Sequence, residues 1–193
     1  IDQKGIPLKD WDIQINYGIK TGYNEAFIID GQTKEKLIEQ DHKNSDIVKP
    51  VLRGTDIKRY HVEFAGLWLI FIPWHFPLHK DQTISGNSLK AEKTFQKEYP
   101  SIYEHLLKYK AELSERNKAE TGKRYEWYAL QRCAASYYQE FEKAKIVWGN
   151  LSTQSNFGFD DKGMYISAPT NLLTTNSANL KYLLAVMNSS LMT

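Results

Sequence analysis

The feature that most constrains this fold is a short, fully apolar segment at residues 67–72 (LWLIFI), which lies between Gly66 and Pro73. No apolar run in the 193-residue chain is longer. A membrane-spanning helix needs roughly 20 apolar residues, so this segment is too short to be one. Apolar side chains at consecutive positions are typical of a strand that is covered on both faces. The sequence therefore predicts a central strand here and no association with a membrane.

Other short segments alternate between apolar and polar side chains, as half-buried strands do. Residues 10–17 and 26–30 are predicted strands, and the turn at residues 18–22 between them predicts a hairpin. Further strands are predicted at residues 59–65, 146–148, 157–159, 164–167 and 172–175. Residues 47–56 contain Pro50 and Gly54, so we expect them to be irregular.

Helical spacing is clearest after Pro100, which suits a first helical position, and it continues through Ile102, Leu106 and Leu113. Shorter helices are predicted at residues 33–43, 127–141 and 180–192. Together these patterns predict a mixed α+β fold with a largely antiparallel sheet. We expect one domain over residues 1–193, with a helical insert at residues 91–142. The chain starts without a methionine and stops inside a predicted helix, so we expect a fragment of a longer protein.

The formal net charge is only +2, but it is unevenly distributed. Residues 1–46 carry a net charge of −3, whereas residues 47–60 and residues 108–132 carry +3 each. Such concentration is what a local contact with phosphates requires, although solvated surface explains it equally well. Cys133 is the only cysteine, which excludes an internal disulfide and a cysteine-based zinc site and favours a cytoplasmic location.

A catalytic centre is not evident in the sequence. It has no glycine-rich phosphate loop, no dinucleotide-binding fingerprint, no nucleophile elbow and no Asn-Pro-Pro-Tyr-type motif. Asp-x-Lys triplets, which occur in metal-dependent nucleases, begin at Asp2, Asp41, Asp56 and Asp160. In a chain with 25% charged residues we interpret all four as surface charge. We therefore predict no catalytic residue, metal ligand or cofactor of its own in this chain.

Three segments carry the side chains that proteins use on DNA, where cations bind phosphates and Arg, Asn and Gln contact base edges. They are a turn, a loop and the start of a predicted helix. The candidate DNA-binding residues are Lys20, Thr21, Tyr23 and Asn24 in the turn, Arg53, Thr55, Lys58 and Arg59 in the loop, and Lys123, Arg124 and Arg132 near the helix start.

Several blocks of sequence, in this order, resemble TaqI-like C-terminal specificity domains. "INYGIKTGYNEAFIID" and "DIVKPVLRGTDIKRY" are similar to the opening of these domains. "WYALQRCAASYYQEFEKAKIVWGNLS" resembles their aromatic-rich segment, and "NLKYLLAVMNSSLM" is similar to the helix that closes their first sheet region. These domains follow the methyltransferase domain in type IIG restriction–modification enzymes and related adenine-N6 methyltransferases.

The resemblance implies that this chain recognises a double-stranded DNA sequence and presents the DNA to other domains. An upstream domain of the same polypeptide would bind S-adenosylmethionine and methylate an adenine that has left the base stack. A nuclease domain, if present, would bring Mg²⁺. The resemblance places the DNA-facing role on the turn at residues 20–24 and the loop at residues 53–59. The alternative function is a protein-interaction or scaffolding domain of a phage-defence complex.

Overall fold

A computed structural model describes residue 7, residues 10–150, residues 156–177 and residues 179–190. In chain order the elements are β1 (Ile13–Tyr17), α1 (Asn24–Phe27), β2 (Ile28–Asp30), α2 (Gly31–Gln40), β3 (Val48–Leu52), β4 (Leu67–Ile70), α3 (Leu89–Glu98), α4 (Pro100–Leu107), α5 (Lys110–Glu115), β5 (Lys145–Gly149), β6 (Phe157–Asp160), β7 (Tyr165–Ile166), β8 (Thr170–Thr175) and α6 (Leu180–Met187). Short 3-10 helices occupy His42–Asp46, Gly54–Asp56 and Tyr138–Glu142. This mixture of helices and antiparallel strands confirms the predicted α+β class. No helix within these ranges is long and apolar enough to cross a membrane.

The chain forms two compact units. Unit 1 contains Ile1–Gly18, Leu52–Ala65 and Tyr137–Thr193, and unit 2 contains Ile19–Val51 and Gly66–Ser136. The predicted helical insert at residues 91–142 contains α4, α5 and most of α3, but residues 116–137 hold no α-helix.

Unit 1 is built on a four-stranded antiparallel sheet in the order β1-β8-β5-β6. Residues that face one another across its strands lie on the same face of the sheet. One such row contains Leu173 and Ile146, and α6 covers that face with Leu183 and Leu184. The opposite face packs against residues 57–62, where a Cβ on Gly158 would lie 2.7 Å from the carbonyl oxygen of His61. Glycine is therefore required at that close approach.

A buried ion pair joins β5 to β6 inside unit 1. Lys145 Nζ lies 2.5 Å from Asp160 Oδ2, and both side chains are fully buried. The lysine also donates to the Phe141 carbonyl, and Asp160 accepts from the backbone N–H of Met164 at 2.9 Å. Because each group has further hydrogen-bond partners, the cost of burying the pair is partly offset.

Unit 2 combines strands β2, β4 and β3, in that spatial order, with α1 to α5. The apolar segment at residues 67–72 supplies β4, which pairs with both neighbours, so the predicted central strand is confirmed. The core beside it is rich in aromatic rings. Phe95 stacks on Tyr128 with centroids 4.6 Å apart and meets Phe76 edge-on at 5.6 Å.

The predicted hairpin between residues 10–17 and 26–30 is wrong. β1 pairs with β8, and β2 pairs with β4, so each half has a partner distant in sequence within its own unit. The predicted strand at residues 59–65 is also wrong, because only Ile57 and Val62 form a bridge, around a turn in which Tyr60 has a φ of 75°.

Residues 48–52, predicted to be irregular, form β3 despite Pro50. Phe71 donates its N–H to the Ile47 carbonyl, and hydrogen-bonded pairs alternate with non-bonded pairs along an antiparallel ladder. Pro50 and Trp68 therefore form a pair without hydrogen bonds between the two strands, where the missing N–H of proline costs nothing.

The predicted helix at residues 127–141 is wrong as well. Residues 125–131 are buried on every side, so they show no one-sided apolar face, and Leu130 donates its N–H to the Ile72 carbonyl. The helix predicted at residues 180–192 is present as α6, which ends at Met187, while residues 191–193 lie outside the described ranges.

Replacement of Lys145 tests the buried ion pair. Lys145→Ala leaves Asp160 as a buried charge without its cation, and we expect a loss of about 3–5 kcal/mol in the free energy of unfolding. Lys143→Ala is the control, because its ion pair with Glu140 is partly exposed and should contribute less than about 1 kcal/mol. Chemical denaturation measures both. Equal losses in the two variants contradict the burial of the pair.

Candidate nucleic-acid interface

Two of the three candidate segments, the turn at residues 20–24 and the segment that contains Arg132, contact each other in unit 2. Arg132 donates its backbone N–H to the Lys20 carbonyl at 2.9 Å, and Lys20 donates to the Arg132 carbonyl at 3.1 Å. Residues opposite one another in an antiparallel bridge carry their side chains on the same side. Lys20 and Arg132 are therefore neighbours on the surface, although they are far apart in the sequence.

Arg116 fastens the turn at residues 20–24 to the segment that holds Arg132. Its guanidinium donates to the carbonyls of Thr21 at 2.5 Å, of Trp127 at 2.9 Å and of Ala129. Burial lowers the pKa of Arg116 to about 10, so the group remains charged at neutral pH. Since planar guanidinium donors hold several acceptors in a fixed arrangement, this contact sets the position of both segments.

Gly22 makes room for that arginine. Its φ is 81°, and a Cβ at this position would lie 2.7 Å from Cδ of Arg116 and 3.0 Å from Oε1 of Gln131. Both the backbone conformation and the space exclude a side chain here.

Glu120 joins the two arginines of the same surface. Its carboxylate accepts from Arg124 Nη1 at 2.8 Å and from Arg132 Nη1 at 3.0 Å. Asn117 donates a further hydrogen bond at 2.7 Å. The hydrogen bond from Arg132 is the largest cause of a lowered pKa at Glu120, so the carboxylate is ionised at neutral pH.

An aromatic pair supports one of these arginines. The guanidinium of Arg124 lies 5.3 Å from the ring centroid of Trp74, which stacks on Tyr125 at 4.8 Å. Trp74 is itself held by a hydrogen bond from Nε1 to the Leu130 carbonyl. We call the exposed cations Lys20, Lys123, Arg124 and Arg132, together with Glu120, the basic cluster.

The other candidates of the turn have different surroundings. Thr21 is buried, and its hydroxyl donates to Asn24 Oδ1 at 2.6 Å. Tyr23 is half-buried against Tyr109, with ring centroids 5.9 Å apart. Lys20 and Asn24 are thus the predicted residues of this turn that solvent reaches most fully.

The third candidate segment lies in unit 1, where Arg53 is bound to a buried carboxylate. Arg53 Nη2 lies 2.9 Å from Asp56 Oδ1, and Arg53 Nε lies 3.2 Å from Oδ2. Burial by itself would raise the pKa of Asp56, but the hydrogen bonds and charge of Arg53 outweigh it and lower the pKa. Thr55, between them, is exposed.

The Asp-x-Lys triplets were interpreted as surface charge. That interpretation is wrong for Asp56 and Asp160, which are buried. Asp41 caps a 3-10 helix, and Asp2 lies outside the described residues.

The remaining candidates of the loop also contact the protein. Lys58 Nζ donates to the Thr55 carbonyl at 2.9 Å and lies 3.7 Å from a Glu63 oxygen. Arg59 donates to the carbonyl of Asn188, the C-cap of α6, at 2.5 Å. A cation at a helix C-terminus stabilises the helix, so Arg59 has a structural role besides any contact with DNA.

Sequence reasoning missed a row of polar side chains at one end of the sheet in unit 1. Asn171 donates to Asn150, whose own amide donates to the hydroxyl of Tyr17 at 3.1 Å. Tyr17 and Asn150 are exposed, and Asn171 is buried. Asparagine amides can pair with adenine edges, so this row has chemistry that DNA recognition uses. No sequence signal marked it, because the three residues come from three separate strand ends.

Glu126 is fully buried and accepts hydrogen bonds from His75 Nδ1 at 3.0 Å and from the Ser88 N–H at 3.0 Å. His75 thus has a hydrogen-bonding role within the protein. Within residues 10–150, 156–177 and 179–190 no three His, Cys, Asp or Glu side chains are grouped as metal ligands.

Comparison with known proteins identifies a family. The sequence profile of the TaqI-like C-terminal specificity domain matches residues 49–193. A curated relative from Methanocaldococcus jannaschii, the type II methyltransferase M.MjaIV, is 24% identical over 180 residues. That match covers 92% of this chain and 54% of the relative, so the chain spans about half the length of the methyltransferase.

A solved structure shares the fold. The type IIL restriction–modification enzyme MmeI, whose structure is in complex with DNA, matches with a TM-score of 0.54 at 11% sequence identity. The match covers 91% of this chain and 20% of MmeI.

Substitution of Gly22 tests the junction around Arg116. Gly22→Ala places a Cβ against the arginine in a left-handed backbone conformation, which costs about 1–2 kcal/mol before any clash is counted. Gly31→Ala is the control, because a Cβ there meets nothing within 4 Å and alanine favours the first turn of α2. Urea unfolding should show a loss only for Gly22→Ala. A stable Gly22→Ala variant contradicts the tight approach.

The Arg53–Asp56 pair predicts a dependence of stability on pH. Because the pKa of Asp56 is lowered in the folded chain, its contribution is complete above the ordinary pKa of 3.8 and is lost as the pH falls through the lowered value. Asp56→Asn should therefore cost about 1–3 kcal/mol at pH 7 and progressively less below pH 4. Asp161→Asn, at an exposed position, is the control. A cost for Asp56→Asn that does not change with pH contradicts the assignment.

Proposed function

This chain belongs to the family of TaqI-like C-terminal specificity domains, and from that premise we propose that it binds double-stranded DNA and selects its sequence. The proposal includes contact with phosphates by exposed cations and recognition of bases by oriented arginine or amide side chains. It assigns no catalytic step to this chain.

The observation that carries the proposal is the junction of Lys20 with Arg132. Two segments that each offer DNA-binding side chains come together through reciprocal backbone hydrogen bonds. The result is a surface on which the exposed Lys20 lies beside Arg132, and Glu120 binds both Arg132 and Arg124. Positive charge on one small surface attracts the DNA backbone, and it makes the affinity for DNA fall as the salt concentration rises.

Unit 1 offers a second set of groups for the same function. Thr55 and Lys58 lie on the loop that Arg53 and Asp56 hold in place. Because Arg53 and Arg59 are used within the protein, we assign them to shaping the surface as well as to phosphate contact. The row of Tyr17, Asn150 and Asn171 adds amide and phenol groups.

We further propose that this chain works as part of a restriction–modification protein that methylates adenine at N6. The support is the type II methyltransferase that it matches over about half of that relative's length. S-adenosylmethionine would then be bound by an upstream methyltransferase domain of the same polypeptide, and Mg²⁺ by a nuclease domain where one is present. The specificity domain would hold the duplex while the target base leaves the stack.

A second candidate is a protein-interaction domain of a phage-defence complex. It is favoured by Ile15 and Tyr17, which lie on the same side of the edge strand β1 and are 55% and 57% exposed. Exposed apolar side chains on a sheet edge are common contact points between proteins.

Lysine variants test the proposed function. Lys20 and Lys123 are chosen because they are exposed. Arg53 and Arg59 are less suitable, because their replacement would also remove contacts within the protein. In a fluorescence anisotropy titration with random-sequence duplex, log affinity should fall linearly with log salt concentration. Lys20→Gln with Lys123→Gln should make that slope shallower by about 1.8, because each phosphate contact contributes about 0.9.

Lys93→Gln with Lys97→Gln is the matched control, because it removes the same charge from exposed positions of α3 in the same unit. It should leave the slope close to that of the wild type. Absence of duplex binding at low salt by the folded wild-type chain contradicts the proposed function and favours the protein-interaction candidate.

A further inference from the structure

Glu120 binds both arginines of the basic cluster at the same time. Oε1 accepts from Arg124 Nη1 at 2.8 Å and from Arg132 Nη2 at 3.4 Å, and Oε2 accepts from Arg132 Nη1 at 3.0 Å. Its side chain is only 15% exposed, whereas those of Arg124 and Arg132 are 60% and 54% exposed. The carboxylate therefore lies beneath two guanidinium groups that face solvent.

The backbone already holds these segments without Glu120. Arg132 is fixed by its reciprocal bonds with Lys20, and the Arg124 N–H donates to the Glu120 carbonyl at 2.8 Å. The turn before them is closed by the Thr121 N–H, which donates to the Asn117 carbonyl at 2.8 Å. Arg116, directly before this turn, also donates to the carbonyls of Thr21, Trp127 and Ala129, so the segments are joined without the carboxylate. The main effect of the carboxylate is therefore on the direction of the two guanidinium groups.

Orientation of a guanidinium matters most for contact with a base edge. Arg124 uses Nη1 on Glu120 and lies over Trp74, so its planar group is restrained from two sides. A restrained arginine loses less conformational entropy on binding, and a planar fork suits the O6 and N7 acceptors of guanine. A phosphate can also accept a guanidinium fork, but it binds a point charge such as a lysine ammonium as well, so phosphate contact depends less on the orientation of the cation.

The charge of Glu120 acts in the same direction. Its carboxylate is ionised, so it repels a phosphate that approaches the two arginines but has no such effect on a neutral base. Repulsion of an incorrect partner is a recognised source of specificity. Glu120 thus reduces the attraction of Arg124 and Arg132 for any DNA while it preserves their ability to bind a base edge.

We propose that Glu120 is a positioning residue for specificity, which orients Arg124 and Arg132 toward base edges in the major groove and disfavours their use as phosphate contacts. This inference rests on the proposed function, and it specifies which cations recognise the base sequence. Arg124 and Arg132 contact bases, whereas Lys20 and Lys123 contact phosphates.

The test begins with a selection from a random duplex library by the wild-type chain, which yields a preferred sequence. The affinity for that sequence divided by the affinity for random duplex is the discrimination ratio. Glu120→Gln should lower the ratio by roughly 5-fold or more, the lower end of what one bidentate base contact contributes. It should also tighten binding to random duplex and steepen the salt slope by about 0.9, since the single negative charge that offsets one of the two arginine charges is removed.

Glu115→Gln is the matched control, because it removes the same charge from an exposed residue that pairs with Lys118 and not with the cluster. It should keep the wild-type discrimination ratio. If Glu120→Gln does not fold, as judged by its thermal unfolding, Arg124→Lys and Arg132→Lys on the native Glu120 serve instead. Each retains its charge but loses the planar fork, and each should lower the ratio.

The outcomes separate this inference from the proposed function. A wild-type chain that discriminates, with a ratio unchanged in Glu120→Gln or in both lysine variants, overturns the role of Glu120 and leaves DNA recognition in place. A wild-type chain that binds no duplex, or binds all duplexes equally, overturns both.

Discussion

The guanidinium of Arg116 is the contact on which the candidate DNA-binding surface of unit 2 depends. It donates to carbonyls from two segments, those of Thr21 on one and of Trp127 and Ala129 on the other. A buried carbonyl without a donor is costly, so one side chain satisfies three groups that would otherwise oppose burial. Gly22 has a left-handed backbone conformation here, and the arginine leaves no room for a side chain at this position. The exposed Lys20 and Arg132 lie beside this buried junction.

The charges of this protein divide into those that build the structure and those that solvent reaches. Lys145 and Asp160 form a pair with no exposure, and Arg53 is held by the buried Asp56. Lys20 and Lys123 are exposed, so they can give up their hydration to a phosphate without a loss of internal contacts. Arg124 and Arg132 stand between these cases, because Glu120 restrains them without burying them. A net charge of +2 conceals this division, which is why the composition was a poor guide to function.

The sequence predicted local structure well where one residue pattern had one physical solution. The apolar run at residues 67–72 had to be covered on both faces and became β4, and Pro100 began α4 at its first position. Predictions failed where a partner was distant. The hairpin at residues 10–30 was plausible locally, but β1 pairs along its whole length with β8, and β2 pairs with the apolar strand β4. Residues 127–141 have apolar side chains at helical spacing, yet burial on every side removed the contrast between faces on which that prediction relied.

The sequence by itself determined the α+β class, the central strand, and the family, because periodicity and an ordered series of motifs are properties of the chain alone. It also identified the residue types able to bind DNA. Only the tertiary structure decided which of them lie close together. The bridge between Lys20 and Arg132, the shared carboxylate of Glu120 and the row of Tyr17, Asn150 and Asn171 join residues that are far apart along the chain. Hydrogen bonds and charges act over a few ångströms in space, so such groupings arise only once the chain has folded.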